Sequence, residues 1–357
     1  MGKILITIFM LILSGVSFSK EEYVKGKVLQ LEETIPESKD NQEIKSIDIF
    51  KIELSEGDNG IVYVESPIYK ESAYNLNIKK GMNVVLYKEI QEDGSTNFYI
   101  ADIDKRNDIY ILSFLFIGLT ILLARKKGIK ALLALLCVVI FIYQGFIPGI
   151  IAGYSPIILA SITGLFASFI TIYLMTGFTE KGINAIIGSV VGVLFAGLIS
   201  YIFTYRMGLT GFVSVESLNF SSLLEGINVK EIISAGVILG SMGAVMDVAM
   251  SIASALEELK LINPDINKKD LFYSGMRIGG DVIGTMVNTL ILAYIGSGLL
   301  SSLFIYLQRD QYPLIRVLNF ESIVVEILRA LCGSIGILIA VPVTAYVSGV
   351  LYEKKDR

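Results

Sequence analysis

Long apolar runs fill most of the chain from residue 109 onward, and they constrain its fold more than any other feature. Hydrophobic residues make up 53% of the 357 residues, which is a high share for a soluble protein. Seven runs approach or exceed the roughly 20 residues that a helix needs to cross a bilayer, and they cover residues 109–124, 129–147, 156–175, 182–203, 229–256, 281–306 and 323–351. Because unpaired backbone groups cannot face lipid, each run is expected to be helical. The sequence therefore predicts an α-helical polytopic membrane protein with about seven transmembrane helices.

The amino terminus has the pattern of a signal peptide. Lys3 precedes an apolar run over residues 4–13, and Ser17 and Ser19 supply small residues for cleavage after Ser19. An uncleaved membrane anchor is the alternative interpretation. In either case the segment that follows residues 1–19 is expected to lie outside the cell membrane.

Residues 20–108 differ in kind from the rest of the chain, because they are rich in charged residues and contain short alternating apolar stretches. Five strands are predicted, over residues 23–31, 47–54, 60–65, 83–89 and 97–103. Five strands in so short a segment indicate a small extracytoplasmic β-barrel of the OB type. The sequence shows no array of stacking aromatic residues, so a docking or gating module is expected rather than a nucleic-acid binder.

Basic residues set the predicted orientation of the helices. With the β domain outside, the predicted inner segments hold most of the basic residues near membrane ends, namely Arg125, Lys126, Lys127, Lys130, Lys181, Lys260, Lys268, Lys269, Arg277, Lys354, Lys355 and Arg357. An excess of lysine and arginine is typical of the cytoplasmic side. The predicted layout is a signal peptide over residues 1–19, the β domain over 20–108, the membrane domain over 109–351 and a cytoplasmic tail over 352–357.

Two neighbouring apolar segments carry small and polar residues at helical spacing. The first face consists of Gly240, Gly243, Asp247, Ser251 and Ser254, and the second of Arg277, Asp281, Thr285 and Asn288. A charged carboxylate at the centre of a membrane helix costs about 3 kcal/mol or more, so it should face a partner or water rather than lipid. The two faces are therefore expected to meet and to line a path for a small ion or polar solute.

These residues also have a structural interpretation, in which they hold helices together. That interpretation is favoured for the neutral residues taken singly, namely Ser251, Ser254, Thr285 and Asn288. It also explains the close spacing of Gly275 with Gly279 and of Gly280 with Gly284. For Asp247 a functional role is favoured, because a membrane-buried acid is costly and a neutral residue packs helices as well.

The remaining charged residues of the membrane segments leave two interpretations open. Asp281 lies nearer the predicted inner surface, where solvent can reach it, and Arg277 is one turn away from it. Glu326 and Arg329 are three residues apart in the last run, which allows a local ion pair. The alternative is that Arg329 faces a cavity and belongs to the path.

Residue types that are missing exclude several kinds of chemistry. The chain has no histidine, so histidine ligands, bases and proton relays are excluded. Cys137 and Cys332 lie in separate apolar runs and are interpreted as inert thiols, so no metal site is expected. No phosphate-binding loop, dinucleotide fingerprint or covalent-nucleophile set is found. We therefore expect no cofactor, no nucleic-acid partner and no ATP-driven transport by this chain alone.

Several long strings of this sequence resemble the YibE/F family of bacterial multi-pass membrane proteins. They are GSMGAVMDVAMSIASALEEL over residues 240–259, SGMRIGGDVIGTMVNTLILAYIG over 274–296, EILRALCGSIG over 326–336 and RKKGIKALLAL over 125–135. The segment that ends in residues 72–76 is also similar to the family. The resemblance implies a multi-pass protein of the bacterial cell membrane, with the β domain outside and the carboxyl terminus in the cytoplasm. It does not imply an activity.

Three functions remain in competition at this point. The first is a transporter or permease for a small ion or polar solute, and the second is a non-transporting scaffold or regulator that acts through the outer β domain. The third is an intramembrane aspartyl hydrolase with Asp247 and Asp281 as its dyad, although Ile278 departs from the GxGD pattern of such enzymes. An enzyme is not the preferred interpretation. The expected partners are the lipid bilayer, a small ion or polar solute, and a second copy or another membrane protein.

Overall fold

The chain forms two compact units, Met1–Leu119 and Thr120–Arg357. The computed structural model describes residues 22–36, 43–55, 60–70, 75–91, 96–213, 226–307 and 310–355. The predicted signal peptide over residues 1–19 lies outside the described residues.

A five-stranded antiparallel sheet makes up the core of the first unit. Its strands are β1 (Glu22–Pro36), β2 (Ile44–Leu54), β3 (Ile61–Tyr69), β4 (Asn83–Ile90) and β5 (Thr96–Ile103). They pair in the order β3-β2-β1-β4-β5, and β3 and β5 at the two edges contact each other, so the sheet is nearly closed into a barrel. All five predicted strands are present, and the architecture agrees with the predicted OB type.

The barrel has an apolar interior and a row of tyrosines on its outside. Residues that point inward and are buried include Val28, Ile52, Val64, Val84 and Leu86. On the outer surface the Tyr23 and Tyr87 rings are 5.6 Å apart between centroids, and the Tyr87 and Tyr99 rings are 6.5 Å apart. This array is not visible in the sequence, because Tyr23 is far from Tyr87 and Tyr99 in the chain and only strand pairing brings the three side by side.

Helices account for nearly all of the chain from residue 106 onward. They are α1 (Arg106–Phe141), a π-helical turn (Ile142–Phe146), α2 (Ile147–Ile151), α3 (Pro156–Thr176), α4 (Glu180–Arg206), α5 (Val229–Ile262), α6 (Lys268–Ser297), α7 (Leu299–Leu307), α8 (Leu314–Val317) and α9 (Glu321–Lys355). Within the described residues, six helical stretches are long and apolar enough to cross a membrane. The first of them, over residues 106–151, contains the first two predicted spans, so the observed helices confirm the predicted class.

The first helical stretch is interrupted at Arg125. This residue has φ 50° and ψ −127°, which is not a helical conformation. Gly128 then lies directly against the carbonyl group of Thr120, eight residues earlier, which a straight helix with a rise of about 1.5 Å per residue does not permit. The break falls between the predicted spans 109–124 and 129–147.

The last long helix, α9, is at the centre of the membrane bundle and packs against α4, α5 and α6. Glycines make these contacts close: Gly336 lies against the backbone of Gly192, and Gly275 and Gly279 lie against Ala345 and Val341. Small residues at such crossings let helix backbones approach one another, which gives dispersion contacts that lipid tails cannot replace.

Polar contacts join neighbouring helices at both ends of the bundle. At one end, the Ser155 hydroxyl before α3 donates to the carboxylate of Glu231 in α5. At the same end, the Glu321 carboxylate of α9 accepts hydrogen bonds at 2.7 Å from the backbone N–H groups of Thr210 and Gly211. At the other end, Lys181 of α4 and Glu257 of α5 form an ion pair of 2.6 Å. These contacts agree with antiparallel neighbours that turn at the membrane surfaces.

Candidate functional site

The predicted polar face of α5 is turned away from the interior of the bundle. Its residues Gly240, Gly243, Asp247 and Ser251 are exposed and Ser254 is half-buried, whereas the other side of the helix buries Val245, Val248, Ala249 and Ile252. A Cβ built on Gly243 has nothing within 4 Å, so the face borders open space. The face that the sequence predicted is thus present and accessible.

Asp247 is the charged residue of this face and lies near the middle of the helix. It is within two residues of the midpoint of α5, which has 34 residues. In the described part of the chain, Asp247 makes no hydrogen bond and no ion pair. A carboxylate at this depth with neither a partner nor water would be costly in lipid, so its surroundings must supply one of the two.

The predicted polar face of α6 is also exposed. Arg277, Asp281, Thr285 and Asn288 lie on one side of the helix, and the opposite side buries Leu271, Gly275, Gly279 and Leu290. The Thr285 hydroxyl donates to the Val282 carbonyl of its own helix at 3.0 Å. Arg277, Asp281 and Asn288 make no hydrogen bond or ion pair with the residues that the structure describes.

Within the described residues the two faces do not pack against each other, although they were expected from the sequence to meet. The side of α6 that packs is the side of Gly279, which adjoins Val341 of α9 and Ile252 of α5. Gly279 and Asp281 are two residues apart, which is more than half a turn of a helix with 3.6 residues per turn, so Asp281 points away from that contact. The described residues therefore leave both polar faces largely exposed.

A third polar group lies where α6 ends and α9 begins. Arg329 Nη1 donates to Glu326 Oε1 at 2.8 Å, which is the local ion pair allowed by the sequence. The Arg329 guanidinium lies beside Gly236 of α5, with Nε 3.6 Å from the position of a Cβ there. Tyr294 Oη, Glu326 Oε2 and Arg329 Nε are buried and have no hydrogen-bond partner among the described residues.

This group borders a cavity and continues the face of Asp247. Tyr294 and Glu326 line a cavity of about 450 Å³ whose other walls are mostly apolar. Arg329 is not part of its lining, so the cavity-facing member of the ion pair is Glu326. Gly236 and Gly240, which adjoin Arg329 and Tyr294, lie on the α5 face that carries Asp247 seven residues further on, about 10 Å along the helix.

Tyr294 is the member of this group that the sequence analysis missed. Its hydroxyl lies against Gly240, the first residue of the predicted α5 face. Gly240 was the feature of the sequence that could have predicted this contact, since a glycine in a polar helix face marks a place where a neighbour comes close. Which residue fills that place depends on how α6 crosses α5, and sequence spacing does not give that crossing.

Six apolar helical stretches, with polar faces inside two of them, define a multi-pass α-helical membrane protein. Comparison with protein families matches residues 112–354 to the YibE/F-like proteins. The match covers well over half of the sequence, so this chain belongs to the YibE/F-like protein family, as its motifs predicted. Comparison with curated proteins gave no match, and comparison with solved structures gave none either.

Proposed function

We propose that this protein is a transporter or permease for a small ion or polar solute, and that Asp247 lines the path. The observation that carries the proposal is the position of Asp247: it is exposed, without a partner in the described residues, and close to the midpoint of a membrane helix. Acids at such depth are costly and face water-filled cavities or bound ions in membrane proteins.

The neighbours of Asp247 suit a hydrated cation or a proton. Ser251 and Ser254 add hydroxyl oxygens on the same face, which together with a carboxylate are ligands that hard cations prefer. Gly243 leaves the face without a side chain about one turn from Asp247, and a Cβ there would have nothing within 4 Å, so a solute can approach the helix backbone at this point. Arg329 stays in the proposal as a further polar residue near the path. Arg277, Asp281, Thr285 and Asn288, which were predicted to line the path as well, point away from α5 and are not part of the path proposed here.

Flux through purified protein tests this proposal. The protein is reconstituted into liposomes, and uptake of a panel of monovalent cations, divalent cations and small polar solutes is measured for the native chain and for Asp247→Asn. The native chain is expected to carry one class of solute, and Asp247→Asn to lose that flux while it still inserts and folds. Asp265→Asn is the matched control, since it removes one exposed carboxylate outside the helices. Equal flux in all three proteins would overturn the proposal.

The outer surface of the β-barrel supports a second candidate, a scaffold or regulator that binds a partner through this domain. The observation that favours it is the row of Tyr23, Tyr87 and Tyr99 on three adjacent strands. Exposed aromatic residues are enriched where proteins bind one another. Alanine substitution of Tyr99 should abolish the function of the whole protein under this candidate, whereas under the transport proposal flux in liposomes stays unchanged. The aspartyl dyad is not proposed, because Asp281 points away from the bundle.

The orientation in the cell membrane belongs to the same proposal. Basic residues near Lys181, Lys260 and Lys268 support a cytoplasmic location for that end of the bundle, and hence a β domain outside the cell. A cysteine introduced at the exposed residue Lys27 should react with a membrane-impermeant maleimide in intact cells, and one introduced at the exposed residue Ile262 should react only after lysis. The reverse labelling pattern would show that the protein has the opposite orientation in the membrane.

A further inference from the structure

The exposed polar face of α6 needs a polar partner. Lipid chains cannot accept or donate hydrogen bonds, so side chains such as Asn288 and Asp281 are not stable against them. In the described part of the chain nothing pairs with either side chain. The face therefore needs a polar partner that the described residues of one chain do not supply.

The charges on this face are complementary to a copy of the face itself. Arg277 and Asp281 have opposite signs and are one helical turn, about 6 Å, apart along the axis. A twofold axis along the membrane normal places two α6 helices side by side at equal depth, as in most homodimers. The long Arg277 side chain of each copy then reaches the Asp281 carboxylate of the other, and the charges of the interface sum to zero.

Two further features of the same face fit a second helix. A Cβ built on Gly280 or Gly284 has nothing within 4 Å, so neither glycine serves packing inside its own chain. Four-residue spacing of small residues lets two membrane helices approach closely. The Asn288 amide can both donate and accept, so it can pair with the same amide of a copy.

We propose that the α6 face formed by Arg277, Gly280, Asp281, Gly284, Thr285 and Asn288 is a homodimer interface, and that a second copy of this chain in the same orientation occupies it. The interface is built from reciprocal Arg277–Asp281 pairs, an Asn288 amide pair and close glycine contacts. It does not depend on the proposed transport function, because no solute takes part in it.

Disulfide crosslinking in the native membrane tests the proposal. Asn288→Cys is introduced into the full chain with Cys137→Ala and Cys332→Ala, and membranes are treated with a mild oxidant. A disulfide-linked dimer is expected, and co-expression with an excess of cysteine-free chain should suppress it. The matched control is Leu198→Cys on α4, which is 51% exposed and lies at a similar distance from the helix start; it should stay monomeric.

Crosslinking at a second position of the face, and labelling with a reagent that reacts only in water, complete the test. Thr285→Cys, one turn from Asn288, should also crosslink, so failure of one variant to fold does not decide the question. Monomers at both positions would overturn the proposal. Reaction of Asn288→Cys with a membrane-impermeant maleimide, without crosslinking, would also overturn it, because the face would then line a water-filled path.

The charge pairing can be tested separately from the contact. Arg277→Ala should reduce dimerisation on the order of tenfold, since it removes two interhelical polar contacts. The exchange of Arg277→Asp together with Asp281→Arg should restore it, and an exchange variant as weak as Arg277→Ala would overturn the pairing. Asp247→Asn should leave the crosslink unchanged, so loss of transport and loss of the dimer are separate results.

Discussion

The hydroxyl oxygen of Tyr294 lies 2.6 Å from the position that a Cβ on Gly240 would occupy. The next ring atom of Tyr294, Cζ, is 3.7 Å from the same position, which is an ordinary van der Waals distance. The conflict with any side chain at residue 240 therefore comes from one oxygen atom. This contact joins α6 to the α5 face of Asp247 and closes one end of that face.

Gly240→Ala is expected to destabilise the protein by about 1–3 kcal/mol, because the tyrosine has to move aside. In a Tyr294→Phe background the same substitution should be neutral or stabilising by up to about 1 kcal/mol, since alanine favours a helix over glycine. Thermal unfolding in detergent of the four proteins in this cycle measures both effects. An equal cost of Gly240→Ala in the two backgrounds would mean that the hydroxyl does not set the spacing of α5 and α6.

Gly192→Ala should be more damaging than a glycine substitution on the open face. A Cβ on Gly192 would lie 2.6 Å from the carbonyl oxygen of Gly336 and 2.9 Å from the Cβ of Ala340, and a backbone atom cannot move aside cheaply. We expect a loss of about 3 kcal/mol. Gly243→Ala, with nothing within 4 Å, is the matched control and should change stability by at most about 1 kcal/mol in the favourable direction. Equal thermal stabilities of the two variants would contradict the close crossing of α4 and α9.

Asp104 should make a pH-dependent contribution to the stability of the segment between β5 and α1. Its nearly buried carboxylate accepts hydrogen bonds from Arg106 Nε at 2.7 Å and from Arg106 Nη2 at 2.8 Å. These bonds hold the pKa of Asp104 below its ordinary value of 3.8. Asp104→Asn should therefore lower the free energy of local opening around Arg106 by about 1 kcal/mol at neutral pH. Hydrogen exchange of the backbone amides there should become correspondingly faster.

The sign of the pH effect follows from the lowered pKa. A carboxyl group whose pKa is lower in the folded state stabilises that state above its unfolded-state pKa, and this contribution disappears as the pH falls through the folded-state pKa. The difference in exchange between the native chain and Asp104→Asn should thus be constant near neutral pH and should shrink below about pH 4. A difference that stays constant into strong acid would show that the charge of Asp104 is not its source.

Substitution of one member of the Glu326–Arg329 pair should destabilise the protein more than substitution of both members. Arg329→Gln leaves the Glu326 carboxylate without its 2.8 Å charged partner at the edge of a mostly apolar cavity, which is expected to cost about 2 kcal/mol. The double variant Glu326→Gln with Arg329→Gln leaves no uncompensated charge and should cost less. Unfolding in detergent gives the coupling between the two sites. A double variant as unstable as the sum of the single ones would mean that the pair is not coupled.

Local patterns were enough to predict the elements of the fold. Helices follow from apolar length, because the bilayer forces the backbone to pair within each span. Strands follow from alternation and turn residues, and Tyr23–Leu31, for example, lies within the observed Glu22–Pro36. The row of Tyr23, Tyr87 and Tyr99 was not predicted, since it depends on the pairing of β1 with β4, which brings Tyr23 beside Tyr87 although the two are distant in the chain.

The spacing of residues predicted which side chains share a helix face, but not whether that face packs against a neighbouring helix. The Gly275–Gly279 and Gly280–Gly284 pairs are indistinguishable by spacing, yet the first is packed and the second is open. The difference is set by α9, which is distant in sequence and packs against the side of α6 that carries Gly275 and Gly279. For the same reason the sequence identified Asp247 and Asp281 as special and wrongly expected their faces to meet.

The central position of α9 has a consequence for how the protein is made. Synthesis proceeds from the amino terminus, so α4, α5 and α6 leave the ribosome before the helix that joins them. Until α9 is made, Gly192 and Gly279 lack their closest neighbours, which are Gly336 and Val341 of that helix. A nascent chain that stops before residue 321 is therefore an incomplete bundle, in which α4, α5 and α6 lack the helix that packs against all three.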